Sequence, residues 1–150
     1  MIAATRWGSP EGAKAVVQIA HGMAEHMARY ERVAQALSGA GYLVYAMDHR
    51  GHGKSIPAGD APGDFGEAAW AGLVDDVMTL GQILKEDHPD LPLILFGHSM
   101  GSFAAQQVAV KASGTLDALV LSGSAAQDKF VEAMMADEGF SLSNINDGDT

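Results

Sequence analysis

One serine in this chain stands where an acyl-transfer nucleophile would. It belongs to Gly97-His98-Ser99-Met100-Gly101, which follows directly on the apolar run Leu93 to Phe96. The G-x-S-x-G spacing suits a nucleophile held in a very tight turn, where glycines two residues to either side remove side-chain clashes. Such a turn lifts the serine Oγ above the N-terminus of the following helix, whose free N–H groups and positive dipole end favour a developing oxyanion. Chance alone supplies the pattern in roughly one chain in ten of this glycine and serine content, so its setting has to decide. The competing reading is a plain strand-to-helix turn capped by a serine.

The surrounding pattern predicts the elements such a turn needs. Ala15 to Ala20, Tyr42 to Met47, Leu91 to Phe96 and Leu116 to Leu121 are short apolar runs that read as buried strands. Between them, Tyr30, Val33, Ala34 and Leu37 recur at helical spacing, as do Leu73, Val77, Leu80 and Leu84, and then Met100, Phe103, Ala104 and Val108. Gly39 and Gly41, Pro89, and Gly114 are the expected stops. The stretch RGHGKSIPAGDAPGDFG, rich in glycine, proline and aspartate, reads as loop. Strands alternating with amphipathic helices predict an α/β fold with a mostly parallel sheet covered on both faces.

A tetrahedral intermediate needs a second oxyanion donor, usually from the loop after a neighbouring strand. His21-Gly22-Met23 occupies that place. Gly22 lets the backbone pass close to a substrate, and the Met23 N–H is expected to point to the same spot as the Met100 N–H.

Three blocks together resemble the α/β-hydrolases, specifically the branch of monoacylglycerol lipases, lysophospholipases and serine aminopeptidase-like enzymes. HGMAEHMARY (His21 to Tyr30) is similar to that branch's H-G-x-x-E-H-x-x-R-Y, DHRGHGKS (Asp48 to Ser55) to its D-x-R-G-H-G-x-S, and GHSMG to its elbow. The resemblance covers roughly residues 5 to 124. It implies Ser99 as nucleophile and the backbone N–H groups of Met23 and Met100 as the oxyanion hole. Ser102 stands where the branch usually has a further glycine.

Other readings of the same residues are weaker. Gly53-Lys54-Ser55 follows a strand as the end of a P-loop would, but Asp48 stands where that motif needs glycine and would face a phosphate with a carboxylate. Neither Asp48, His49 and His52 nor His21, Glu25 and His26 has H-E-x-x-H spacing, so loop bracing is the expectation, with no metal and no cofactor. Asp75 and Asp76 read as a solvated helix face. A net charge of -10 and a pI near 4.8 argue against nucleic acid and anionic membranes as partners. No cysteine is present, which excludes disulfides and thiolate chemistry. No run is long enough to cross a bilayer and no signal sequence is evident, so stable membrane insertion is not expected and the default expectation is a cytoplasmic protein. Oligomeric state is not legible.

What the residues lack is equally informative. In this fold the partners of the nucleophile follow it in the order acid, then histidine, yet no histidine follows Ser99; the last is His98. Asp117, Asp128, Asp137, Asp147 and Asp149 are acids without an assigned role. His21 or His52 could serve instead as an upstream base. The expectation is therefore an N-terminal part, 1–124, of a hydrolase core, with 125–150 beginning a lid in which Phe130, Val131, Met134 and Met135 share a helix side. The expected activity is ester hydrolysis on small acyl esters such as monoacylglycerols or lysophospholipids, catalytically incomplete within these residues. A non-catalytic binding module and a serine peptidase are the alternatives.

Overall fold

An apolar run of five or six residues without polar alternation has to be covered on both faces, which a parallel sheet flanked by helices provides. The computed structural model describes residues 1–126 and Asp128 and has that arrangement. In chain order the strands are β1 (Ala4–Trp7), β2 (Val16–Ala20), β3 (Leu43–Met47), β4 (Leu93–His98) and β5 (Ala118–Ser122). They form one sheet in the order β1-β3-β2-β4-β5, with β1 antiparallel to β3 and the other pairs parallel. The helices are α1 (Glu31–Gly39), α2 (Ala69–Asp87) and α3 (Met100–Lys111).

The central strand β2 has all five residues buried, because alternate side chains serve different cores. Val17 and Ile19 pack with Val44, Tyr30 and Ala34 on the α1 side. Ala20 faces Leu73, Val77, Ala104 and Val108 of α2 and α3, and Val16 faces Leu84 and Leu93. Each large side chain fully buried this way, Ile19 or Leu95 for example, contributes roughly 1.5–3 kcal/mol. Gln18 shares the α2 side, and its Nε2 donates to the Val77 carbonyl at 2.8 Å, offsetting part of the cost of burying an amide.

Several expectations are corrected. β1 is absent from the pattern reading because ATRW is only four residues long and half polar; it is recruited by backbone pairing, Ala4 opposite Met47 and Trp7 opposite Val44. The first helix begins with a 3-10 turn, Met27–Tyr30, and Val33 lies on the flank of its apolar face, 43% exposed. The loop at RGHGKS contains a 3-10 turn, Gly53–Ser55. α3 ends at Lys111, with Gly114 in the turn beyond it.

β5 pairs with β4 on one side only, and Leu119, Val120 and Leu121 are 37–44% exposed among the described residues. An apolar edge of this kind is a template for further pairing. The expected lid helix with Phe130, Val131, Met134 and Met135 lies outside the described residues. No helix among the described residues is long and apolar enough to cross a membrane.

Candidate active site

Strand β4 delivers its last residue, His98, to the carboxyl edge of the sheet, and the chain reverses into α3 through Ser99 alone. Ser99 takes φ 50° and ψ -119°, a left-handed conformation that costs a residue with a Cβ roughly 1–3 kcal/mol. The neighbouring glycines make that turn possible. A Cβ at Gly97 would lie 2.5 Å from the Gly101 carbonyl oxygen, and one at Gly101 would collide with the carbonyl oxygen of Ala20. Backbone bonds fix the serine: its N–H donates to the Ser122 carbonyl on β5 at 2.9 Å, and its own carbonyl accepts the N–H groups of Ser102 at 2.8 Å and Phe103 at 3.3 Å.

The loop after β2 runs directly alongside. A Cβ at Gly22 would sit 3.3 Å from the Ser99 Cβ and 2.8 Å from Glu25 Oε2, so only glycine leaves this approach open. Glu25 holds the loop in place: Oε2 accepts the Gly22 N–H and the Tyr30 hydroxyl, both at 2.8 Å. Partial burial pushes the Glu25 carboxyl up, but the bonds from Tyr30 and Gly22 outweigh it and hold the group below its ordinary value. Burial and the bond to Glu25 in turn push the Tyr30 hydroxyl upward, so it remains a donor. Among the described residues, neither the Met23 nor the Met100 N–H is used in a hydrogen bond.

Gly22, Met23, Ala24, Glu25, Arg29, His98 and Ser99 line one cleft of about 250 Å³. The structure thus brings Met23 and Ser99 to a common cleft, with Met100 buried as the first residue of α3 immediately beneath. Met23 lines the cleft beside Ser99 and Met100 follows Ser99 directly in sequence, so the residues bordering Ser99 include two whose backbone N–H groups are otherwise unused.

The upstream histidines are not placed to act as bases. His21 Nε2 accepts the His49 N–H at 3.0 Å, so its proton resides on Nδ1, which donates to the Gly22 carbonyl at 2.7 Å. His49 Nε2 donates to the His21 carbonyl at 3.0 Å. His52 Nδ1 donates to the Arg50 carbonyl, and its Nε2 accepts the Ala24 N–H. These rings stitch the loop after β2 to the loop after β3, as the bracing reading expected. Burial lowers His21 to about 4 and His49 to about 3, keeping both neutral. His98 Nδ1 bonds the Ser122 hydroxyl at 3.1 Å.

Asp48 braces the same region. Its carboxylate accepts the Met27 and Lys54 N–H groups, each at 2.7 Å, and its carbonyl accepts the Ser55 hydroxyl. GHGKS therefore wraps around a carboxylate rather than a phosphate. Asp76 corrects the solvated-face reading: it forms a two-pronged ion pair with Arg50 at 2.7 and 2.9 Å, while Asp75 pairs with Lys111 at 3.6 Å on the surface. Asp117 accepts the Leu93 N–H at the start of β4, the opposite end of the strand from Ser99. The described residues contain no group of three or more His, Asp and Glu that could hold a metal ion.

The pattern reading did not single out the Glu25–Gly22–Tyr30 brace or a link from Ser102 to Ser124. The H-x-x-x-E spacing was visible, but nothing local in a sequence says which backbone N–H a carboxylate will meet.

A mostly parallel sheet with a strained serine between β4 and α3, faced by a glycine loop from the neighbouring strand β2, defines an α/β-hydrolase. The chain belongs to the Hydrolase_4 family, described as serine aminopeptidase, S33, which matches residues 11–140. Its relatives include the monoacylglycerol lipase of Mycolicibacterium smegmatis, 44% identical over 119 residues that cover 79% of this chain and 41% of that protein. The human monoglyceride lipase is 38% identical over 117 residues, 77% of this chain and 37% of that one. Among solved structures, a thermostable carboxyl esterase from Bacillus coagulans in complex with glycerol superposes with a TM-score of 0.79 at 30% identity, covering 97% of this chain and 50% of that one. The chain spans about two-fifths of the length of the curated relatives it matches.

Proposed function

We propose that Ser99 is the nucleophile of a serine hydrolase that cleaves carboxylic esters of the monoacylglycerol or lysophospholipid kind. The observation that carries this reading is the conformation of Ser99 itself, left-handed at φ 50° and set against the Gly22 loop. Ser99 Oγ attacks the ester carbonyl carbon, and the Met23 and Met100 N–H groups hold the oxyanion. Collapse expels the alcohol and leaves the acyl group on Ser99; water then attacks that ester and releases the acid. The relatives' names support an ester rather than an amide substrate, although the same groups serve both, and the family's peptidase description keeps an amide as the second candidate.

The base and its acid lie outside these 150 residues in our reading. No histidine follows Ser99, and the rings of His21, His49 and His52 are committed to the backbone. That the chain spans only about two-fifths of its relatives supports the same view. Residues 1–124 then form the N-terminal part of the core, and this chain by itself is catalytically incomplete. The same observation favours one competitor, a non-catalytic module that keeps the hydrolase core for binding.

A fluorophosphonate probe separates the two. Labelling of Ser99 that accelerates when imidazole is added as a substitute base, and that disappears in Ser99→Ala, is the expected result. Labelling that survives Ser99→Ala overturns the assignment, and a wild-type chain inert even with imidazole supports the binding module.

A further inference from the structure

Ser102 is wholly buried one helical turn after Ser99, and its Oγ lies 2.6 Å from the Ser99 carbonyl oxygen and 2.8 Å from Ser124 Oγ. A hydroxyl has one proton, and a carbonyl can only accept, so that proton goes to Ser99. Ser124 must therefore donate to Ser102. Ser124 Oγ in turn accepts from Gln106 Nε2 at 2.9 Å, and the same amide nitrogen donates to the Ala125 carbonyl at 3.0 Å, which fixes the orientation of the amide. The four groups form a chain with a single direction: Gln106 N–H to Ser124 O–H to Ser102 O–H to the Ser99 C=O.

The end of that chain matters because the Ser99 carbonyl and the Met100 N–H belong to one peptide unit. A donor on the oxygen of an amide draws electron density through the conjugated C–N bond and makes the amide N–H a stronger donor. We propose that Ser102 is a positioning residue that orients and polarises the Ser99–Met100 peptide, strengthening the Met100 N–H as an oxyanion donor, with Ser124 and Gln106 feeding it. The inference rests on the reading of Met100 as part of the oxyanion hole. It also gives a role to the residue that replaces a glycine in the resemblance, since glycine has no hydroxyl with which to make this bond. The carbonyl already accepts two backbone N–H groups, from Ser102 at 2.8 Å and Phe103 at 3.3 Å, and the hydroxyl provides the shortest contact of the three.

One oxyanion donor is worth a factor of about 10² to 10³, and cooperative strengthening adds about 10–30% per bond, so losing the Ser102 hydroxyl should slow acylation about 1.6- to 8-fold. The experiment is performed on the whole 150-residue chain. In ¹⁵N-resolved spectra, Ser102→Ala and Ser102→Gly should move the Met100 amide nitrogen and proton upfield, while the Met23 amide stays in place. Ser102→Thr, which keeps the hydroxyl, should restore the wild-type position. Ser124→Ala, an exposed change, should move Met100 the same way by less, which keeps the test available if the buried variants fold poorly. The rate of fluorophosphonate labelling with added imidazole should fall in parallel.

An unmoved Met100 resonance in Ser102→Ala, or a Ser102→Thr variant that behaves like the alanine, overturns the proposal. So does a shifted resonance with an unchanged labelling rate. Failure of the functional reading looks different, because labelling would then persist in Ser99→Ala or be absent from the wild type even with imidazole, whatever the Met100 amide does.

Discussion

His21 Nε2 accepts the backbone N–H of His49 at 3.0 Å, joining the loop that follows β2 to the loop that follows β3. The bond requires a neutral ring with its proton on Nδ1, and burial enforces it by lowering His21 to about 4. In the unfolded chain the same group titrates near 6.5, so between these values the unfolded state binds the extra proton. Stability is therefore full above about pH 6.5 and is lost as pH falls toward 4, by about 3 kcal/mol from His21 at 1.36 kcal/mol per unit. Urea midpoints measured from pH 7 to 4 should fall more steeply for the wild type than for His21→Asn; equal slopes would remove His21 as the cause.

Glu25 acts on the same loop with the opposite chemistry. Its folded value is depressed, so its contribution is present above the unfolded value near 4.5 and is lost as pH falls through the folded one. Glu25→Ala strips an acceptor from both the Gly22 N–H and the Tyr30 hydroxyl. We expect a loss of about 1–3 kcal/mol in denaturant unfolding and slower labelling of Ser99, with Glu25→Gln intermediate because its amide oxygen still accepts.

Glycines at the site should differ in what they protect. Gly101→Ala forces a methyl into the Ala20 and His21 carbonyls, which are backbone and cannot step aside, so we expect a loss of about 3 kcal/mol or more. Gly22→Ala meets the end of a flexible glutamate and the Ser99 Cβ at 3.3 Å. That variant should fold, losing about 1 kcal/mol, while Ser99 labelling drops sharply. Melting curves and probe kinetics on the two proteins would distinguish these outcomes.

Two ion pairs from adjacent aspartates allow an internal comparison. Arg50 and Asp76 meet through two prongs, with their side chains 25% and 18% exposed, whereas Lys111 and Asp75 are 46% and 58% exposed. A double-mutant cycle should give a coupling of about 1–3 kcal/mol for the first pair and below about 0.5 kcal/mol for the second. Arg50→Lys should recover only part of the first coupling, because an ammonium cannot make both prongs at once.

Much of the frame was readable in the residues. Val16–Ala20, Leu43–Met47 and Leu93–Phe96 are apolar apart from Gln18 because both faces of the sheet are covered, and that pattern needs no knowledge of neighbours. The elbow was readable for a related reason, since Gly97 and Gly101 serve a turn whose constraint is local in sequence even though its clashes are not. β1 escaped notice because four half-polar residues carry no period, and only the exposed edge of β3 makes them a strand.

Asp75 and Asp76 show the limit most clearly. Adjacent residues on one helix with the same side chain look equivalent, yet the 100° turn between them aims one at Arg50 and the other at Lys111. Ser102 is similar: its type departs from the glycine expected there, and its consequence depends on where the chain after β5 brings Ser124.

By itself the sequence determined the alternation of strand and helix, the absence of thiol chemistry, and a serine mounted between glycines with no histidine after it. These follow from periodicity, composition and order along the chain. Tertiary structure alone decided that Gly22 lies against Ser99, that the histidine rings are spent on backbone bonds, and that Ser102 reaches the Ser99 carbonyl. Hydrogen bonds are short and directional, so their partners are set by where folding brings residues 28 positions apart, as with His21 and His49, or 59 apart, as with Gln18 and Val77.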